Sequence, residues 1–139
     1  MVFPYHREQL DSTASFPAGQ ELWRPVLCVK LVYGSASIDC WSLVDTGSDY
    51  CIFPADFATR LGLDLSLLPS SSVYGAGSDS GVRFAKVLMC HQDLGVWEVR
   101  AGFSPEWNGR EAGALGNLGL FDRFRVSFDW QKREFEVKS

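Results

Sequence analysis

The chain has 139 residues, 46% of them hydrophobic and 22% charged, the balance of one ordinary globular domain with enough apolar mass for a core. A formal net charge of -4 argues against nucleic acid as a partner, because phosphate binding needs a basic surface. No apolar run reaches the roughly 20 residues of a membrane span, and "MVFPYHREQLDST" carries charge and Pro where a signal peptide carries its apolar core, so a soluble, cytoplasmic protein with no membrane partner is expected.

In chain order, residues 1–22 are polar, broken by Pro4, Pro17 and Gly19, and read as an irregular N-terminal arm laid over the surface of a domain spanning 23–139. As an arm they fit a regulatory segment, a pro-segment or a dimer strap. "RPVLCVKLVYG" reads as a strand, "GSAS" (34–37) as a turn and "IDCWSLV" (38–44) as the return strand, a hairpin that delivers Asp45 at its end. "YCIFP" is a third strand stopped by Pro54. "ADFATRLGLDL" places Phe57, Ala58 and Leu61 at helical spacing with Gly62 as a stop, which predicts one short helix. "LLPSSS" is a loop, and "SSVYGAGSDSGVRFAKVLMC" reads as two strands around a glycine-rich tip. "GVWEVRAGFS" is another strand and "PEWNGREAG" a loop. The end gives a short turn or helix and then the strands "RFRVSFD" and "EFEVK", joined by "WQKR". Phe121, Phe124 and Phe128 read as core. The whole is an all-β pattern with one or two short helices.

The four cysteines, Cys28, Cys40, Cys51 and Cys90, lie 12, 11 and 39 residues apart and match no metal-binding spacing, so reduced core thiols are expected. His91 beside Cys90 lacks further ligands at suitable spacing, and neighbours on a strand point to opposite faces. No metal site and no organic cofactor is expected.

A lone carboxylate, Asp45, stands between the apolar runs "WSLV" and "YCIF" in an Asp-Thr-Gly turn. Burial there is costly unless the carboxylate is hydrogen-bonded, paired or used for chemistry. By itself Asp-Thr-Gly is a weak signal, since Asp and Gly are turn residues. Its context adds weight: a buried strand leads in, Ser48-Asp49 follow, another apolar strand leaves, and about 70 residues later "GALGNLGLFDRFRVSFD" runs Ala114 and Leu115 into Gly116.

On these motifs, over residues 25 to 138, the sequence resembles the retropepsin-like aspartic proteases. The resemblance implies an all-β, single-lobe fold with a flap hairpin, acting as a homodimeric aspartic endopeptidase on a peptide or protein substrate. It makes Asp45 the catalytic carboxylate, Thr46 the residue whose hydroxyl locks two active-site loops together, and Gly47 the point where the backbone passes close beneath. It makes "YGAGSDSG" the flap, with Tyr74, Gly75, Ala76 and Gly77 as contact residues, and puts Asp49 in the substrate-binding set. Retroviral members carry Arg after the late apolar-apolar-Gly, paired with the Asp that Asp49 matches. Here that position is Asn117, which leaves Arg123 as a stand-in. Ser48, as in pepsins, is expected to donate its hydroxyl to Asp45 and favour the ionised carboxylate.

The chemistry agrees with this reading. Peptide hydrolysis by carboxylates uses two of them sharing one proton, one as general base on water and the other as general acid. The chain supplies one suitable Asp-Thr-Gly. Asp79-Ser80-Gly81 follows "GAGS" instead of an apolar strand and lies only 34 residues from Asp45, too close for a second lobe. The second carboxylate is therefore expected from another copy in a C2 dimer. Read as a dinucleotide fingerprint, "YGAGSDSG" lacks the buried strand before it and the helix after it. The alternative is a catalytically silent peptide-binding or dimerisation module of the same fold.

Overall fold

The computed structural model describes residues 1–70 and 81–139. The expected flap tip, with Tyr74, Gly75, Ala76, Gly77 and the Asp79-Ser80 pair, lies outside the described residues.

Its centre is a closed barrel. Strand β4 (Val26–Tyr33) turns at Gly34-Ser35 into β5 (Ala36–Val44), with Val29 opposite Cys40 and Leu31 opposite Ile38. Alternation decides which side chains enter: Leu27, Val29 and Leu31 are buried while Lys30 points out and pairs with Asp39 at 2.9 Å. Strands β7 (Arg83–His91) and β8 (Gly95–Ser104) form a second long hairpin that sends Ala85, Val87, Met89, Trp97, Val99, Ala101 and Phe103 inward. Two short strands close the gap. β6 (Ile52–Pro54) runs parallel to β8, and β9 (Gly113–Leu115) runs parallel to β5 and antiparallel to β6, giving the order β4-β5-β9-β6-β8-β7 and back to β4. Closure leaves these strands no free edge.

After β6 the chain enters helix α1 (Ala55–Arg60), with Pro54 in the extended conformation at its N-cap. The helix buries Phe57 and Ala58 and ends where Gly62 takes φ +84°, donating to the Thr59 carbonyl while the Leu63 N–H reaches that of Ala58. This paired closure is the glycine-terminated helix end that the sequence forecast. A 3-10 turn at Leu65–Leu67 follows.

Outside the barrel lie two smaller sheets. β1 (Val2–Pro4), β11 (Glu134–Lys138) and β10 (Arg125–Asp129) form an antiparallel sheet in the order β1-β11-β10. It buries Phe135 and Val137 against the barrel. β2 (His6–Leu10) and β3 (Gln20–Arg24) form a separate hairpin. The irregular course expected for residues 1–22 is therefore corrected. Their side chains are polar because most face solvent, yet alternating residues pair well, and Tyr5 enters the core. Of the aromatic series, Phe124 is buried and Phe121 packs on the core, but Phe128 sits on strand β10, at the sheet's edge, and is 41% exposed. All four cysteines are free. Cys40 and Cys51 are buried, which pushes both thiols up to about 12, while Cys28 and Cys90 are only half-buried.

The turn after β9 is tied to the barrel by one buried bond, from Trp97 Nε1 to the Gly119 carbonyl at 2.7 Å. Trp97→Phe keeps an aromatic side chain but loses the indole N–H and its five-membered ring, which strands that carbonyl and leaves a gap, and should cost at least about 1–3 kcal/mol in urea unfolding. An unchanged midpoint would show that water satisfies the carbonyl in the variant.

Candidate active site

Asp45 follows directly on β5, and its position is fixed by the backbone before its side chain does anything. Its N–H donates to the Leu115 carbonyl at the end of β9 (3.0 Å), and its own carbonyl accepts from the Ser48 N–H (3.2 Å). The carboxylate Oδ1 accepts from the Gly47 N–H at 2.9 Å, so the Asp-Thr-Gly turn is closed by the side chain of its first residue. Beyond it, residues 48–50 run across the start of the 116–124 turn. The Asn117 N–H reaches the Ser48 carbonyl (2.8 Å), the Leu118 N–H reaches that of Asp49 (2.9 Å), and Tyr50 bridges Leu118 in parallel.

This crossing explains Gly116. A Cβ there would stand 2.5 Å from the Ser48 carbonyl oxygen and closer still to that of Tyr50, both rigid backbone atoms. At Gly47 the nearest atom to an added Cβ is the Asp45 Oδ1 at 3.2 Å. The tight passage expected at Gly47 is thus found at Gly116. Gly47 instead supplies an N–H to the carboxylate.

Three further expectations are revised. Asp45 is half-buried instead of enclosed. The Ser48 hydroxyl donates to the Tyr50 carbonyl at 2.7 Å, so it is committed to the crossing and not to Asp45. Asp49 and Arg123 are both exposed and form no ion pair with each other among the described residues, so Arg123 does not replace the missing Arg within one chain. Thr46 is exposed, and its hydroxyl has no partner among the described residues. Asp45, Thr46, Gly47 and Asp49 thus share one turn, while the structure does not describe the flap residues.

Sequence reasoning missed the strand β9 and the role of the Leu115 carbonyl. The signal was present in two apolar residues ending on Gly116. It also missed Asp122, whose Oδ1 accepts the Gly119 N–H at 2.9 Å and shapes the turn beneath the crossing. No group of three or more His, Cys, Asp or Glu residues suited to a metal occurs among the described residues. Nor is any helix among them long and apolar enough to cross a membrane.

A crystal structure of a retropepsin-like aspartic protease from Rickettsia conorii superposes with a TM-score of 0.57, covering 99% of this chain and 92% of that one at 12% identity. No protein-family model matches the sequence, and a comparison with curated proteins found no match. The fold is all-β and retropepsin-like.

Gly116→Ala should drive the crossing strands apart, at about 1–3 kcal/mol for overpacking against atoms that cannot rotate away. Chemical denaturation measures it. A wild-type midpoint would mean that the two segments separate without loss.

Proposed function

We propose that this protein is an aspartic endopeptidase whose dyad forms from the Asp45 carboxylates of two copies of the chain. The observation that carries the reading is a half-exposed carboxylate on a turn whose backbone is fixed on both sides, by Leu115 and by the Ser48 N–H. The retropepsin-like fold supports it. The Thr46 hydroxyl, without a partner among the described residues, gives the same face a group available to a second copy.

In this mechanism two carboxylates face each other across a two-fold axis at about 3 Å and hold one proton between them, since both cannot ionise at that distance. The ionised one takes a proton from water as the water oxygen attacks the peptide carbonyl carbon. The protonated one gives its proton to the carbonyl oxygen. Collapse of the resulting diol breaks the C–N bond, with a proton passing to the leaving nitrogen. The Gly47 N–H keeps Oδ1 oriented throughout. Tyr74, Gly75, Ala76 and Gly77 are proposed to cover an extended peptide, and Asp49 to border it. Four free cysteines fit a reducing compartment such as the cytoplasm.

Asp45→Asn is nearly isosteric but can neither accept water's proton nor share one, so turnover should fall to background with folding intact. Specific activity of the wild type should rise with protein concentration and level off once dimers dominate. Excess Asp45→Asn chains should poison it beyond dilution, because each mixed dimer holds one dead half. Sedimentation and peptide assay on the same samples decide the matter. A fully active species of monomer mass would sink the two-chain dyad, and a dimer without turnover would favour the silent binding module.

A further inference from the structure

The β2–β3 hairpin pairs with no other strand among the described residues. A two-stranded hairpin is marginal alone in water, so its place is set by what its faces touch. Its register puts His6, Glu8 and Arg24 on one face and Arg7, Glu21 and Trp23 on the other. The second face is held partly within the hairpin, and its Trp23 also packs on the core. Arg7 bonds Glu21 at 2.8 Å, Trp23 Nε1 bonds Glu21 at 2.7 Å, and the Arg133 guanidinium lies 5.6 Å from the Trp23 ring.

The first face engages the segment that feeds β9. Glu8 accepts from Arg110 at 2.7 Å. Arg24 Nη2 donates to Glu111 Oε2 at 2.9 Å, while its Nε lies 2.6 Å from Oε1, off the hydrogen-bond axis. The His6 ring stacks on Trp41 of β5 at 5.3 Å. The signs are crossed: the hairpin brings Glu8 and Arg24, and the segment brings Arg110 and Glu111. A slip that set Glu8 against Glu111 would oppose like charges, so the pairs fix register as well as proximity. The Arg24–Glu111 pair is the shielded one, with side chains 27% and 10% exposed. Salt screens it less than the exposed Glu8–Arg110 pair.

Glu111 is two residues ahead of β9. The intervening Ala112 donates to the Trp41 carbonyl at 2.8 Å, and β9 ends at the Leu115 carbonyl that holds the Asp45 N–H. A short extended path therefore joins the ion pair to the carboxylate turn. We propose that the β2–β3 hairpin is a clamp on β9, and that Arg24 and Glu111 are positioning residues for the Asp45 turn. The structural part stands on these contacts, and its effect on cleavage rests on the peptidase reading above.

Hydrogen–deuterium exchange on the full chain, at one protein concentration, tests the clamp. In Glu111→Gln the amides of residues 20–24 should exchange at least about tenfold faster, and those of Asp45 and Asn117 should quicken with them. Peptide cleavage should lose kcat while KM holds. Arg24→Lys keeps the charge without the planar fork and should fall between that variant and wild type on both readouts. If the hairpin loosens while Asp45 and Asn117 keep wild-type protection, the pair only anchors the hairpin and the clamp is overturned. Wild-type exchange throughout overturns it as well. Should Glu111→Gln fail to fold, Arg24→Lys decides by the same amides. If the wild type cleaves no peptide, the exchange result still settles the clamp and the peptidase reading fails alone.

Discussion

The passage of residues 48–50 over Gly116 is the constraint on which the site depends. Four short-range facts meet there: the Ser48 and Asp49 carbonyls each take an N–H from the 117–118 backbone, the Ser48 hydroxyl closes on Tyr50, and Gly116 leaves no side chain in the way. Backbone groups that would otherwise be unpaired satisfy each other, so the crossing adds order without leaving buried polar groups bare. β6 leaves the crossing on one side and β9 enters it on the other, and both are needed to close the ring between β5 and β8.

That arrangement separates fixing a carboxylate from burying it. The Asp45 backbone is held by β9, and one oxygen is held by Gly47, yet the residue stays half-exposed. Under the proposed two-chain reading, a carboxylate with one oxygen already fixed has little freedom left to lose when a second one meets it. This is the preorganisation an acid–base pair requires. The Ser48 hydroxyl, turned to Tyr50, strengthens the support beneath Asp45.

Most of the barrel was legible because period-two alternation is a strong signal on long strands. "VLCVKLV" and "KVLMC" announce their buried faces residue by residue, and Gly62 marks the helix end through a left-handed conformation that side chains resist. The short elements were harder. β9 is three residues, all buried, and shows no alternation to read. Val2–Pro4 was hidden by its three-residue length and its proline, and His6–Leu10 by polarity, since a strand with one solvated face and charged cross-strand partners looks like a loop in composition. At the site, Asp45 and Gly116 could be found from local pattern. The direction of the Ser48 hydroxyl could not, because it depends on where a carbonyl two residues later is placed by the crossing.

The same distinction explains why the charges of the N-terminal hairpin are informative. Surface pairs such as Lys30–Asp39 lie along a strand pair already fixed by backbone bonding, and exposed pairs of this kind contribute little. Arg24–Glu111 joins two pieces of chain that no backbone ladder connects, and it does so with both side chains largely withdrawn from water. Taking such charges out of solvent is costly, and a single uncompensated partner is worse than the pair. An apolar contact at that place would hold the hairpin down without defining its register. Charge supplies direction, and here it sets the register of the hairpin against the segment that feeds β9.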